Sequence, residues 1–267
     1  MPYDRRVERA HPTLIQMILD DSGSMKLTLA GSPKPRYQWV ETHAATILTE
    51  LLARSTDFTA SGSEIRPRYY LDVIKYGTHP EPWTSQEQDI GEAAREFDKQ
   101  NASFGLGAKL EGTDTAEAFR VAYDRLQLMI NKPLYRDSFP PMVFHLTDGE
   151  SHTDASVIAQ KMMALSTSDG NTLVVNAYIG TQTNLTYSGP NDFPGYVTES
   201  EVGPNEDNLR LFRMSSVMPE TIRQNLIASK TFPSIRSGAR LFFDVRTDIM
   251  LHNVLAVVGS TGSRTLA

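Results

Sequence analysis

A run of mostly apolar residues that ends abruptly at a cluster of turn formers is the feature that most restricts how this chain folds. Residues 13–20 read TLIQMILD and are followed at once by DDSGSM. The run is long enough for one strand, far too short for a membrane span, and apolar enough to be buried, while Asp, Ser and Gly in succession force the chain out of the strand into a loop. Further strand-like segments follow at 69–76 (YYLDVIKY), 142–147 (MVFHLT, closed by DGE), 172–179 and 240–245. Between them lie helical patterns. Over 37–54, Trp39, Val40, Ala44, Ile47, Leu48, Leu51 and Leu52 recur at three- and four-residue spacing, and over 113–131, Ala116, Phe119, Ala122, Tyr123, Leu126 and Ile130 form one stripe behind the capping oxygens of GTDT. Residues 154–165, 219–228 and 248–258 give three more helices.

Strands that alternate with helices imply an α/β fold with a mainly parallel central sheet, because parallel neighbours need crossover connections and those crossovers cover both faces of the sheet. Ligands in such sheets gather at the carboxyl ends of the strands. A length of 267 residues suits a single domain carrying loop insertions, near 26–36 and at 180–210. The second insertion, rich in Gly, Pro, Asn, Thr and Ser, is expected to be irregular, and a loop that long is either mobile or functional.

Composition removes several functions. A net charge of −6 and a pI near 5.5 leave no concentrated basic surface for gripping nucleic acid. The absence of cysteine excludes disulfides, thiolate metal sites and cysteine nucleophiles, and it fits a reducing compartment. The opening residues, MPYDRRVERAHPT, contain no apolar core of a secretion signal and no later stretch approaches a bilayer span, so the expectation is a cytoplasmic protein without a membrane partner.

Three separate segments place small oxygen-bearing side chains at a strand end or a helix start: Asp20, Ser22 and Ser24 in DDSGS, Thr113 in GTDT, and Asp148 in LTDGE. Each alone reads as a turn or a cap. Together, at one edge of a parallel sheet, they form an oxygen set without histidine or cysteine, which suits a hard divalent cation, magnesium first, with manganese and calcium as alternatives. The hydroxyls of Ser22, Ser24 and Thr113 would bind directly, while the carboxylates of Asp20 and Asp148 would act mainly through water or by orienting the hydroxyls. The six histidines are scattered and show no HExxH or HxH spacing; His152 falls near Asp148 but reads as a solvated loop residue. Neither a P-loop nor a GxGxxG dinucleotide fingerprint is present.

D-x-S-x-S at Asp20, Ser22 and Ser24 after an apolar strand, then the Thr of G-T-D-T, then the Asp of a strand ending T-D-G, resembles the metal-ion-dependent adhesion site of von Willebrand factor A domains. The resemblance runs over nearly the whole chain and implies their Rossmann-like fold. It implies Ser22 and Ser24 as direct ligands, Thr113 as a direct or water-mediated one, Asp20 and Asp148 as mainly water-mediated ones, and a sixth position filled by a partner's Glu or Asp. The segment between the first motif and the first helix, and the 180–210 loop, are longer than that family's compact core.

The expected function is therefore non-catalytic: a metal-dependent protein-interaction module, serving as adaptor to an AAA+ ATPase or in a kinase and phosphatase system of an intracellular bacterial complex. Two alternatives stand beside it. A magnesium-dependent hydrolase would use the ion to activate water, yet no nucleophile or free general base accompanies the motif. A metal-independent scaffold would carry the motif as a relic.

Overall fold

The computed structural model describes residues 3–28, 32–59, 62–180 and 183–259. The chain enters through β1 (Thr13–Asp20), turns through a short 3-10 segment (Gly23–Lys26), and forms α1 (Arg36–Ser55). A hairpin follows, β2 (Thr56–Thr59) and β3 (Gly62–Ile65), then β4 (Tyr69–Tyr76), the short strands β5 (Pro80–Pro82) and β6 (Gln88–Asp89), and α2 (Ile90–Lys99). Next come α3 (Thr115–Ile130), β7 (Met142–Thr147), α4 (Ser156–Ala164) and β8 (Leu173–Tyr178). Three helices, α5 (Glu199–Val202), α6 (Glu206–Arg213) and α7 (Glu220–Ala228), precede β9 (Phe242–Asp244) and α8 (Asp248–Gly259).

The main sheet runs β5–β4–β1–β7–β8–β9, with β6 also paired to β4. Strands β4, β1, β7, β8 and β9 are parallel, and only β5 and β6 run antiparallel. The expected α/β fold with a mainly parallel sheet is thus the observed one.

Strand periodicity sorts the core into two layers. In β1, Ile15, Met17 and Leu19 pack with α1, α2 and α8, whereas Leu14 and Ile18 pack with α3 and α4. Gln16 shares the second face, where its Nε2 donates to Asp72 Oδ2 at 2.8 Å and to the Ala122 carbonyl at 3.1 Å while its Oε1 has no partner among the described residues, and Arg125 closes on the same Asp72 carboxylate. The described residues include no helix long and apolar enough to cross a membrane.

Several elements depart from the sequence expectation. The β2–β3 hairpin is mostly polar, none of its described side chains is buried, and Phe58 is 85 % exposed, so no hydrophobic alternation announces it. Helix α2 buries only Ile90, Gly91, Ala93 and Phe97 and is started by Asp89, whose carboxylate accepts the N–H groups of Gly91 and Glu92.

The 180–210 segment, expected as irregular, holds α5 and the first turns of α6. A capping box between Thr198 and Glu201 starts the former, and Asn205 caps the latter. Phe193 and Tyr196 are fully buried against Phe232, Phe242 and Phe243, with ring centroids 5.1–5.7 Å apart. Much of this insertion is therefore core that covers the last strands rather than a loose loop. Its residues 181 and 182, and residues 29–31 of the first insertion, lie outside the described residues.

Candidate metal site

The register of β1 against β7 pairs Ile18 with His145 and Leu19 with Leu146, which brings the strand ends at Asp20 and Thr147 together. Asp20 is fully buried and held at both oxygens. The Ser22 backbone N–H donates to Oδ1 at 2.9 Å, and the Thr147 hydroxyl donates to Oδ2 at 2.7 Å. Burial first, and the charge of Asp148 second, push the Asp20 carboxyl up to about 7, against the lowering effect of the bonds from Ser22 and Thr147. A proton on Asp20 or a cation beside the two carboxylates would relieve this cost.

Ser22 is extended and stands just before the 3-10 turn, which carries Ser24 back beside it; the two hydroxyls share a hydrogen bond, their oxygens 3.1 Å apart. That spacing fits one edge of a magnesium octahedron, since two oxygens at about 2.1 Å from the ion and at right angles lie about 3.0 Å from each other. Met25, fully buried, anchors the turn in the core.

Thr113 comes to the same edge through three cross-links. Ser22 forms a parallel bridge with Leu110, three residues before Thr113. The Asp114 N–H donates to the Gly77 carbonyl after β4 at 2.8 Å, and the Thr113 carbonyl accepts the His152 N–H from the loop after β7 at 3.2 Å. Asp114 Oδ1 caps α3 through the Glu117 N–H and accepts the Thr153 hydroxyl at 2.8 Å. Thr113 is 6 % exposed, and no hydrogen bond occupies its hydroxyl among the described residues.

Asp148 follows β7 with its side chain fully buried. Oδ1 accepts the Glu150 N–H at 3.3 Å, and Oδ2 accepts Nη1 of Arg36, the first residue of α1, at 2.7 Å. Gly149 turns with φ +90°, and an added Cβ there would stand 3.1 Å from the Tyr178 ring, so this position takes glycine where the chain leaves β7 just after Asp148.

All five residues read from the sequence therefore lie at a strand end or in the turns and loops that the sheet gathers at one edge. Three others belong with them. Thr147 orients Asp20. Asp21 takes the N–H groups of Gly107 and Ala108 onto Oδ1, at 2.7 and 2.5 Å, and so fixes the loop that delivers Thr113. Arg36 neutralises Asp148. Of these only Asp21 carried a signal, the doubled aspartate at the strand end.

Among the described residues no group of three or more His, Cys, Asp or Glu side chains is placed to hold a metal, so a cation here relies on hydroxyls with two carboxylates behind them. The residues present fit that role: the serine pair has the right spacing, and the paired carboxylates supply the charge. His152 is exposed beside this edge. His145, by contrast, is fully buried and takes no part in it. Its Nε2 meets the Tyr76 hydroxyl at 2.7 Å and its Nδ1 meets Asn176 Oδ1 at 2.8 Å, and burial lowers its pKa to about 4, so the ring is neutral.

No protein-family model matches the chain, and no curated protein sequence does. Solved structures do. Proximal thread matrix protein 1 from the mussel byssus, in a form described as having a zinc-occupied MIDAS motif, superposes with a TM-score of 0.52 at 11% identity over 95% of this chain, and a second crystal form of it gives 0.51 at 11%. This chain spans about half of that protein, 48% of its length. BatB from Bacteroides thetaiotaomicron, described as a conserved hypothetical protein, gives 0.50 at 14% identity, over 93% of this chain and 98% of its own. At such identities the likeness establishes the fold, which is von Willebrand factor A-like.

Proposed function

We propose that the chain is a metal-dependent protein-interaction module that holds one divalent cation, magnesium first, on Ser22, Ser24 and Thr113, with Asp20 and Asp148 behind them, and uses it to capture an Asp or Glu of a partner protein. The observation that carries this reading is the serine pair: two hydroxyl oxygens 3.1 Å apart, at the mouth of a carboxylate already fixed at both oxygens. The zinc-occupied motif of the mussel protein supports the divalent ion at the general level. A cation with neutral direct ligands stays electron-poor and favours an anionic sixth ligand. Asp20, Asp21 and Asp148 each hold fixed partners, which leaves none of the three free to serve as a general base. The role is thus capture rather than turnover, in keeping with an adaptor in a bacterial complex built around an AAA+ ATPase or a kinase and phosphatase pair.

The test is calorimetry on metal-stripped protein. Magnesium is added first, then a short peptide with a central Glu or its Gln counterpart. The reading expects the Glu peptide alone to bind, only with metal, and to lose binding in Ser22→Ala. Equal binding of both peptides in chelator would contradict it.

A further inference from the structure

Arg36 is placed against the ordinary preference of its own helix. It is the first residue of α1, where the aligned peptide dipoles put partial positive charge and where acidic side chains are favoured, yet the first turn of α1 holds no acid and no side chain caps it. The guanidinium lies across this positive end because Asp148 holds it there: Nη1 meets Oδ2 at 2.7 Å, the carboxylate is fully buried, and the Arg36 side chain is 17% exposed. The Arg36 N–H is fixed to the Leu27 carbonyl at 3.0 Å, so the backbone that carries the cation is tied to the end of the serine turn. Nε of the same guanidinium is buried and has no hydrogen-bond partner among the described residues. Asp21, next to Asp20, keeps its negative charge but commits Oδ1 to the Gly107 and Ala108 N–H groups, so the contact Arg36 makes at this edge is with Asp148.

Charge counting gives this cation its consequence. Asp20 and Asp148 together carry two negative charges, which one divalent ion cancels. Arg36 adds a positive charge that those two carboxylates then leave uncompensated. On the reading of this edge as a metal site, we propose that Arg36 is a built-in competitor of the metal. It shares Asp148 with the ion and so weakens retention of the ion by the chain alone, and firm retention then draws on the partner's carboxylate as the last ligand. The serines select the kind of ion, and Arg36 couples its binding to that of an acidic partner.

Arg36→Gln and Arg36→Met remove the charge, the second with much of the stem kept, and Arg36→Lys retains it. All are purified in manganese, and manganese affinity is read by competition against a chelator, so that a variant unable to fold without metal still reports. The expected result is about ten-fold tighter manganese binding in Arg36→Gln and Arg36→Met, with Arg36→Lys within about three-fold of the parent, because a like charge beside a partly buried site works through a low effective dielectric. Unchanged or weaker binding in the two neutral variants, with the parent binding normally, overturns the role of Arg36 and leaves the metal site standing. No binding in the parent or in any variant overturns both.

Discussion

The Thr147 hydroxyl donates to Oδ2 of Asp20 across 2.7 Å, joining the ends of β7 and β1, and Oγ1 of Thr147 accepts the Gly149 N–H at 3.0 Å. One side chain thus fixes both the carboxylate behind the serine pair and the turn that carries Asp148.

Thr147→Val keeps the shape and removes both bonds. It should weaken magnesium or manganese affinity by roughly ten- to hundred-fold, the usual cost of losing a group that orients a ligand. It should also lower stability by about 1–3 kcal/mol through the orphaned buried groups. Calorimetry and urea denaturation read the two effects, and Thr147→Ser should restore most of both.

Asp21 should matter to stability more than its neighbours in the motif. Asp21→Ala leaves the Gly107 and Ala108 N–H groups without their acceptor in a loop that Glu41 also holds, through the N–H groups of Phe104 and Leu106. The expected loss is about 2–4 kcal/mol in denaturant unfolding, with Asp21→Asn losing less than half as much. A weaker metal affinity should accompany Asp21→Ala, since the freed loop delivers Thr113.

Gly149→Ala tests the turn directly. A Cβ at φ +90° would meet the Tyr178 ring at 3.1 and 3.2 Å. The expected cost is about 1–3 kcal/mol of stability, read as a lower melting temperature, together with weakened metal binding as Asp148 shifts.

His145 supplies a pH dependence with a definite sign. Its folded pKa is lowered to about 4 from 6.5, so the unfolded chain takes up a proton that the folded protein refuses. The contribution is fully present above pH 6.5 and is lost as pH falls toward 4, on the order of 3 kcal/mol in all. Asp20, raised to about 7, acts in the opposite direction in the metal-free protein, so the informative quantity is the difference in unfolding free energy between the parent and His145→Gln at each pH. That difference should shrink on acidification, and the His145 ring signals in NMR should titrate near pH 4.

How much of this was legible in the sequence depends on how local the cause is. β1, β4 and β7 were readable to the residue because their apolar runs end on sharp turn chemistry. The proposed oxygen set could be put forward from sequence because D-x-S-x-S places three of its members, Asp20, Ser22 and Ser24, within five residues. Thr147, by contrast, acts on Asp20 across neighbouring strands, and only the register of β1 on β7 creates the contact. Arg36 meets Asp148 over a sequence separation of 112 residues and looks like an ordinary helix-start residue. The 180–210 segment misled for a different reason: its Gly, Pro and Ser content signals turns, while its structure rests on single aromatic anchors, Phe193 and Tyr196, which have no periodicity to detect.

The central claim, that a divalent cation sits on the serine pair, is tested most directly by manganese anomalous diffraction from crystals of the protein. The account predicts one anomalous peak at the carboxyl edge of the sheet, about 2.2 Å from both Ser22 Oγ and Ser24 Oγ, and its absence from crystals of Ser22→Ala. Fully ordered Ser22 and Ser24 with no peak between them at saturating manganese would contradict it.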